Sequence, residues 1–412
     1  MNREMKHSGI EWIGNIPSDW RTDILSVLFY EHKLKNKGMA EQNLLSLSYG
    51  NIIRKDITQS GGLLPESFET YNIVDKDDII FRLTDLQNDK RSLRTGLCKE
   101  RGIITSAYIA IRKRTNIHAP YFHYLFHTYD LCKVFYGLGD GVRQGMNYAD
   151  MRKLPLIIPS YAEQKAIADF LDKKCNEIDE LVALQEKIIE ELKSYKQSVI
   201  TETVCKGLNP NAPMKDSGLD WIGNVPSNWT VCKLKHVYTL LNGRAYSDNE
   251  LLSEGKYKIL RVGNLFTSDK WYYSDLELEE NKYCKEGDLL YGWSASIGPY
   301  LWNDEKVIYH YHIWKVLFTN NRQFAFYQLQ ALTEAKRRDM HGSAMQHLTM
   351  NGMNNSFIAI PPLEEQQEIA DYLDRKCSEI DQLISIKQQK IVELKEYKKS
   401  LIYEYTTGKK EV

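Results

Sequence analysis

The sequence lacks any run approaching the ~18 consecutive apolar residues of a membrane helix, and its first nine residues carry charge without an apolar stretch. A membrane span and a secretory signal are therefore not expected, and the cytoplasm is the expected compartment. Cysteine is sparse: seven in 412 residues, an odd number with no Cys-x-x-Cys pair, which argues against a disulfide framework or a structural zinc site. Glycine (24) and proline (11) are too few for a collagenous or low-complexity chain. Net charge is also lacking, because 54 Lys+Arg meet 55 Asp+Glu; taken alone, this argues against a nucleic-acid partner. What is present suits ordinary folded cores, with 42% hydrophobic, 26% charged and 11% aromatic residues, and the length calls for about two or three domains.

The chain is written twice. Ser8-Gly-Ile-Glu-Trp-Ile-Gly-Asn-Ile-Pro-Ser-Asp-Trp20 returns as Ser217-Gly-Leu-Asp-Trp-Ile-Gly-Asn-Val-Pro-Ser-Asn-Trp229, identical at nine of thirteen positions. A second shared block runs from Pro159 through Glu163-Gln164, Ile167 to Asp172, Cys175, Glu177-Ile-Asp179 and Leu192-Lys-Ser-Tyr195-Lys. Its copy runs from Pro361 through Glu365-Gln366, Ile369 to Asp374, Cys377, Glu379-Ile-Asp381 and Leu394-Lys-Glu-Tyr397-Lys. Between these blocks the two halves hardly resemble one another, so a repeated framework carries two different modules.

The shared C-terminal blocks read as long helices. Residues 162–203 contain neither Gly nor Pro, and Glu-Gln in the first turn after Pro suits a helix N-terminus. The apolar spacing predicts a heptad seam of Ile178, Leu181, Ile188, Leu192, Tyr195 and Val199, interrupted by Gln185. In the second copy the seam is Ile380, Leu383, Leu394, Tyr397 and Leu401, with Lys387 and Lys390 at seam positions and Ile384 and Ile391 one residue away. At ~1.5 Å per residue each helix spans roughly 60 Å, more than a single module needs. The two are therefore expected to pair antiparallel as a coiled coil.

The modules read as mostly β. Leu44 to Tyr49, Asp78 to Leu83 and Ile103 to Ile111 in the first, and Ile259 to Val262, Asp288 to Tyr291 and Val307 to Phe318 in the second, are strand-like runs. Each module then ends on a helix, Tyr121 to Tyr129 or Arg322 to Arg338, followed by a polar Gly-containing loop. The expected class is α+β: two mainly-β domains separated by two long antiparallel coiled-coil helices in a pseudo-twofold internal repeat. The expected boundaries are 1–158, 159–208, 209–360 and 361–412.

No catalytic constellation stands out. There is no Gly-x-x-x-x-Gly-Lys phosphate loop and no Gly-x-Ser-x-Gly elbow, and Ile360-Pro-Pro-Leu363 has Ile and Leu where an adenine methyltransferase motif needs a polar residue and an aromatic. Gly137-Leu-Gly-Asp-Gly141 reads as a turn. His123 and His127 have metal-ligand spacing but no acidic companion and read as core histidines. His310 and His312 would share one strand face, without a third ligand. No metal site and no cofactor is expected in this chain.

Charge is unevenly spread. Residues 161–208 hold 7 cations against 10 acids and residues 361–412 hold 9 against 11, whereas residues 1–160 hold 22 against 18 and residues 209–360 are balanced at 16 each. Residues 82–114 concentrate nine cations against three acids, which reads either as a phosphate-facing loop or as a solvated one. The second module has the shorter run Lys336-Arg-Arg338. The loops Gly141-Val-Arg-Gln-Gly-Met-Asn147 and Gly342-Ser-Ala-Met-Gln-His347 carry base-reading side chains and equally suit turns.

The whole arrangement from Ser8 to Gly408 resembles the specificity subunit of type I restriction-modification systems. Leu45-Ser-Leu-Ser-Tyr-Gly50, Phe81-Arg-Leu-Thr-Asp-Leu-Gln-Asn-Asp-Lys-Arg91, Gly102-Ile-Ile-Thr-Ser-Ala-Tyr108, Gly287-Asp-Leu-Leu-Tyr-Gly-Trp-Ser294 and His310-Tyr-His-Ile-Trp314 look like that family. The resemblance implies a non-catalytic subunit with two target recognition domains, each reading half of an asymmetric split site on double-stranded DNA, with the coiled coil setting the gap. It implies two methyltransferase subunits and an optional restriction/translocase subunit as partners, with S-adenosylmethionine, ATP and Mg on those partners. Side-chain chemistry in polar loops then selects Arg82, Asn88, Arg91, Arg94, Arg143, Gln144 and Asn147, together with Arg244, Arg261, Asn264, Ser294, Gln346 and His347, as DNA contacts. The competing reading is a coiled-coil scaffold without DNA sequence specificity.

Overall fold

The structure, a computed structural model, describes residues 3–57, 65, 67–84, 86, 93–137, 145–339 and 347–412, the backbone alone at Gly137 and Asp339. It divides into two compact units, one of residues 1–186 with 389–412 and the other of residues 187–388. Neither unit stops at a helix end. Each owns one module and a stretch of both long helices, Tyr161–Lys206 and Leu363–Thr406.

The framework is the same in both units. The hairpin Met5–His7/Asn15–Pro17 has Met5 opposite Pro17, and its copy Met214–Asp216/Asn224–Pro226 has Met214 opposite Pro226. The strand after each tryptophan then pairs antiparallel with the strand that leads into a long helix, Arg21–Ile24 with Pro155–Ile158 and Thr230–Lys233 with Phe357–Ile360. A module thus leaves and rejoins the framework through one two-stranded ladder. The helices begin where proline cannot continue a strand: Ser160 accepts the Glu163 amide at 3.3 Å while the Glu163 carboxylate receives the Ser160 amide at 3.2 Å. They end at Gly207 (φ 72°) and Gly408 (φ 68°), left-handed positions that glycine adopts without strain. A Cβ at residue 408 would also lie 2.5 Å from Pro17.

Each module is built on a four-stranded antiparallel sheet. In the first unit the order is Thr95–Leu97, Ile79–Phe81, Ile109–Lys113, Phe29–Glu31, and in the second Gly298–Leu301, Leu289–Gly292, Ile313–Phe318, Tyr238–Asn242. A second sheet lies beside it in each, three-stranded in the first and four-stranded in the second. Two runs expected as single strands are each two. Ile103 to Ile111 breaks at a turn closed by the Tyr108 amide on Thr105 O (3.1 Å), and Val307 to Phe318 splits into Val307–Tyr309 in one sheet and Ile313–Phe318 in the other. An apolar run that switches sheets keeps its composition while changing direction, so periodicity cannot mark the break. The module helices are Ala119–Leu131 and Arg322–Asp339.

The long helices pair antiparallel within each unit. In the first, Phe170 meets Tyr405 with ring centroids 4.4 Å apart, Asp179 meets Lys398 at 2.6 Å, and Glu186 meets Lys395 at 3.8 Å, one number rising as the other falls. The second unit repeats the clamp with Lys196 on Asp381 at 2.6 Å. The seam corrects the sequence expectation. It keeps Ile178, Ile380 and Leu401, with Leu192, Val199 and Leu394 partly covered, but Leu181 (46% exposed), Tyr195 (51%), Leu383 (46%) and Tyr397 (55%) face outward. Val182 and Ile189 are buried where Leu181 and Ile188 were expected, and Lys196 and Lys398 take the places of Tyr195 and Tyr397. A lysine can sit in a seam because its stem lies along apolar surface while its ammonium reaches a carboxylate on the other helix. An assignment that treats Lys as polar and Tyr as apolar selects the neighbouring register.

The shifted register is testable in one helix. Ile380→Ala, at 2% exposure, is expected to cost about 2–5 kcal/mol, whereas Leu383→Ala stays within about 1 kcal/mol. Urea denaturation of the two variants checks this, and equal costs would restore the register that runs through Leu383.

Candidate nucleic-acid interface

In the second unit, three segments converge where the two sheets meet. Leu289–Gly292 leads into Trp293-Ser294-Ala295; His310-Tyr311-His312 links the strands of the two sheets; and the loop from Arg261 to Tyr272 covers the space between. Gly243 permits the crossing, because a Cβ there would lie 2.4 Å from the carbonyl oxygens of both Tyr309 and His310. Together they enclose a cavity of about 300 Å³ lined by Arg261, Asn264, Lys270, Tyr272, Ser294, His310 and His312, among others.

The walls are tied from within. The Trp293 indole donates to Tyr311 O at 2.8 Å and stacks on Trp314 at 5.8 Å, and its ring meets His312 edge-on at 5.0 Å. Ser294 Oγ lies 2.8 Å from His347 Nδ1, and the Leu348 amide donates to Trp293 O at 2.9 Å, so the segment before the second long helix is fastened to the cavity rim. Asn264 accepts the Arg261 amide (3.0 Å) and donates to Lys270 O (2.9 Å), which closes the loop. The exposed Arg261 guanidinium and Lys270 ammonium then each lie 5.3 Å from the Tyr272 ring centroid. His310 is pushed down to about 4, first by burial and then by His312 and Arg261; His312 is lowered by burial, His347 and Arg261. Near neutral pH the cavity therefore offers neutral imidazoles and hydroxyls inside with cations at its mouth. That is suited to reading base edges while holding phosphate.

The sequence-selected residues divide into groups. Arg261, Asn264 and Ser294 come together in the cavity, with His347 bonded to Ser294. Arg244 stands apart, forked onto Glu250 (2.7 and 3.1 Å) and lying 5.1 Å over Tyr246, which in turn stacks on His310. The cavity is also lined by His310, His312, Lys270 and Tyr272, which side-chain chemistry in the sequence did not select; the aromatic-basic character of Lys270-Trp-Tyr272 and His310-Tyr-His312 was the available signal.

In the first unit the corresponding framework is present. Met146 donates to Leu83 O at 2.9 Å, as Leu348 does to Trp293; half-buried Arg82 and Asn147 are the sequence neighbours of this pair. Asn147 caps the short helix Tyr148–Met151, accepting the Ala149 amide at 2.7 Å. Arg94 does not face outward. It is fully buried, with its amide on Asp130 and its guanidinium on Thr84 O (3.2 Å) and the Tyr136 hydroxyl (3.3 Å). The expected basic stretch 82–114 is not one face either: Arg112 is bonded to Asp75 and Asp78, Arg101 to Asp75, and Lys113 to Asp77. Three of its cations are thus paired with carboxylates of the turn between Asn72–Val74 and Ile79–Phe81. Asn88, Arg91, Arg143, Gln144, Gln346 and the turn at residues 138–141 lie outside the described residues.

Among the described residues, His32, Asp75 and Asp78 bring ligand atoms within 4.8 Å of one another, but the Arg112 guanidinium bonds both carboxylates at 2.7 Å and fills the place of a cation. His123 and His127 are partly buried on the module helix and pushed down to about 3 and 4, chiefly by burial. No described helix is long and apolar enough to cross a membrane.

Comparison with known proteins follows this architecture. The family model described as type I restriction modification DNA specificity domain matches twice, at residues 32–194 and 226–396. The type I restriction enzyme MjaVIII specificity subunit of Methanocaldococcus jannaschii is 27% identical over 336 residues, covering 75% of each chain. Two solved chains share the fold. One, from a structure of the assembly and conformational transition of a type I R-M system, has a TM-score of 0.73 at 16% identity, covering 95% of this chain and 99% of its own. The HsdS subunit of Thermoanaerobacter tengcongensis has 0.52 at 15%, covering 95% and 98%.

The cavity histidine yields a prediction with a definite sign. An unfolded chain protonates His310 near 6.5 and the native chain near 4, so between these values the native state binds fewer protons and its stability rises with pH. The His310 imidazole C2–H resonance, assigned with His310→Gln, is expected to remain that of a neutral ring at pH 6. A titration midpoint near 6.5 would contradict the burial argument.

Proposed function

The chain belongs to the type I restriction-modification DNA specificity family, and from that premise we propose that it is the non-catalytic DNA-reading subunit of a modification-restriction complex. Each module, residues 1–158 and 209–360, reads one half of a bipartite, asymmetric duplex site. The observation that carries this reading is internal: one framework fastens the rim of each module at the same place, Leu83 to Met146 and Trp293 to Leu348, while the side chains offered there differ. Different side chains on an identical mount are what two different half-sites require.

In the second module Arg261 and Lys270 hold the phosphate backbone beside Tyr272, while Ser294, His310, His312 and His347 face base edges. Arg244, already paired with Glu250, orients Tyr246 and His310. In the first module Arg82 and Asn147 hold the corresponding rim, and the loops bearing Asn88, Arg91, Arg143, Gln144 and, in the second, Gln346 complete the readers. Arg94 serves the core. The paired helices, continuous through 46 and 44 residues, act as a stiff spacer that fixes the gap between half-sites. Their acidic surfaces dock two methyltransferase subunits. Those partners bring S-adenosylmethionine, and a restriction/translocase subunit brings ATP and Mg. The complex acts in the cytoplasm, where its duplex substrate lies.

Methylome sequencing of a host expressing the chain with its methyltransferase partner is expected to return one asymmetric split motif. Inserting a single base pair between the half-sites is expected to abolish modification, and modification tolerant of spacing would refute the stiff spacer. Arg261→Ala is expected to weaken duplex binding and to reduce the salt slope by about one unit if it neutralises one phosphate; an unchanged slope would remove Arg261 from the backbone contacts.

A further inference from the structure

The two copies of the helix start are charged differently. In the first unit the Glu163 carboxylate is saturated. Arg3 donates to it at 2.6 Å, the Trp20 indole at 3.2 Å, and the Ser160 amide and hydroxyl at 3.2 and 3.1 Å. Arg3 also reaches Asp19 at 2.7 Å and lies 5.7 Å over the Trp20 ring, so its guanidinium occupies a carboxylate-lined, tryptophan-faced niche.

The matching hairpin registers set the equivalences in the second unit. Ala212 stands at the place of Arg3, Asn228 at that of Asp19, and Pro362 at that of Ser160. Glu365 is retained, and Trp229 donates to it at 2.9 Å. Along the helix, Ala162 and Ala166 of the first copy become Glu364 and Glu368. Beyond the terminating glycine, Lys409 and Lys410 become Leu208 and Asn209. Around the cavity, Arg3 and Lys410 are thus replaced by neutral Ala212 and Asn209, Asp19 and Glu411 by Asn228 and Pro210, and two alanines by Glu364 and Glu368, so two cations and two carboxylates are lost and two new carboxylates stand on the helix. The space left open is a cavity of about 620 Å³ lined by Ala212, Asn228, Glu364, Glu365 and Glu368 among others, against about 270 Å³ at the first copy, where Arg3 forms part of the wall.

We propose that this second-unit cavity binds an arginine side chain from a basic segment of a protein partner. The first copy supplies the chemical precedent, because the same glutamate and tryptophan there hold a guanidinium. Arginine fits better than lysine, since its planar fork can bond a carboxylate in two directions and bridge Glu365 to the neighbouring Glu364 or Glu368. Nucleic acid is excluded from this face by the three carboxylates, which repel phosphate. The cavity is thus separate in chemistry and place from the His310 cavity, and it stands whether or not the DNA reading is correct.

The test is the indole N–H resonance of Trp229 in the full chain, titrated with N-acetyl-arginine amide. A saturable shift of Trp229 is expected while the Trp20 indole, already neighboured by Arg3, stays fixed. Glu365→Gln is expected to raise the titration midpoint by about tenfold or more, as loss of a charge-assisted pair does. Ala212→Arg with Asn228→Asp, which rebuilds the first copy's filled niche, is expected to abolish the response without disturbing the fold. Equal shifts of both indoles, the same shift with magnesium chloride at equal ionic strength, or a titration unaffected by the refilled niche would overturn the proposal.

Discussion

A single side-chain amide holds each half of the framework together. Gln164 donates to Pro159 O at 2.9 Å and accepts the His118 amide at 2.8 Å; Gln366 donates to Pro361 O at 2.9 Å and accepts the Asn321 amide at 3.0 Å. Each glutamine is almost wholly buried and bridges two backbone groups at the ends of different elements, the ladder strand and the module helix. Severing such a bridge would strand two buried backbone groups at about 1–3 kcal/mol each. Beside it, the indole of Trp20 or Trp229 fastens the hairpin to the adjacent glutamate. Hairpin, ladder, module helix and long helix therefore meet in one knot, which explains why Trp and Glu-Gln recur in both copies while the modules diverge.

From the knot the long helices run along the module helices. Tyr124 donates to Asp172 and Tyr327 to Asp374, both at 2.7 Å, and each module helix also receives the far end of the other long helix: Thr406 meets Tyr121 and Thr128 in the first unit, and Val204 packs with Phe324 and Tyr327 in the second. The orientation of a module is thus fixed by both long helices at once. Reading loops carried on such a mount need little reorganisation to meet a rigid duplex, and their side chains can change without disturbing the core.

The repeat, the helices, their antiparallel pairing and the β character of the modules were legible in the sequence because they are written in local pattern and in self-similarity. The seam register was not, since Lys196 and Lys398 bury their stems and the tyrosines beside them do not. Arg94 and Arg112 looked like a basic surface because a charge count cannot see Asp75, Asp78 or Asp130, which approach only when the strands assemble. The second-module cavity was half legible. Arg261, Asn264 and Ser294 were chosen for chemistry, but the histidines that complete the cavity lie in a turn between two sheets, a place no periodicity announces.

The central claim is that two modules on one framework read two half-sites independently. It is tested most directly by replacing the first module, residues 21–158, with a second copy of residues 230–360 and sequencing the methylome of a host carrying the hybrid with its methyltransferase partner. A new split target whose two halves carry the same bases, with the original spacing retained, is the expected result. An unchanged asymmetric target, or a hybrid that folds and assembles yet modifies no defined site, would contradict it.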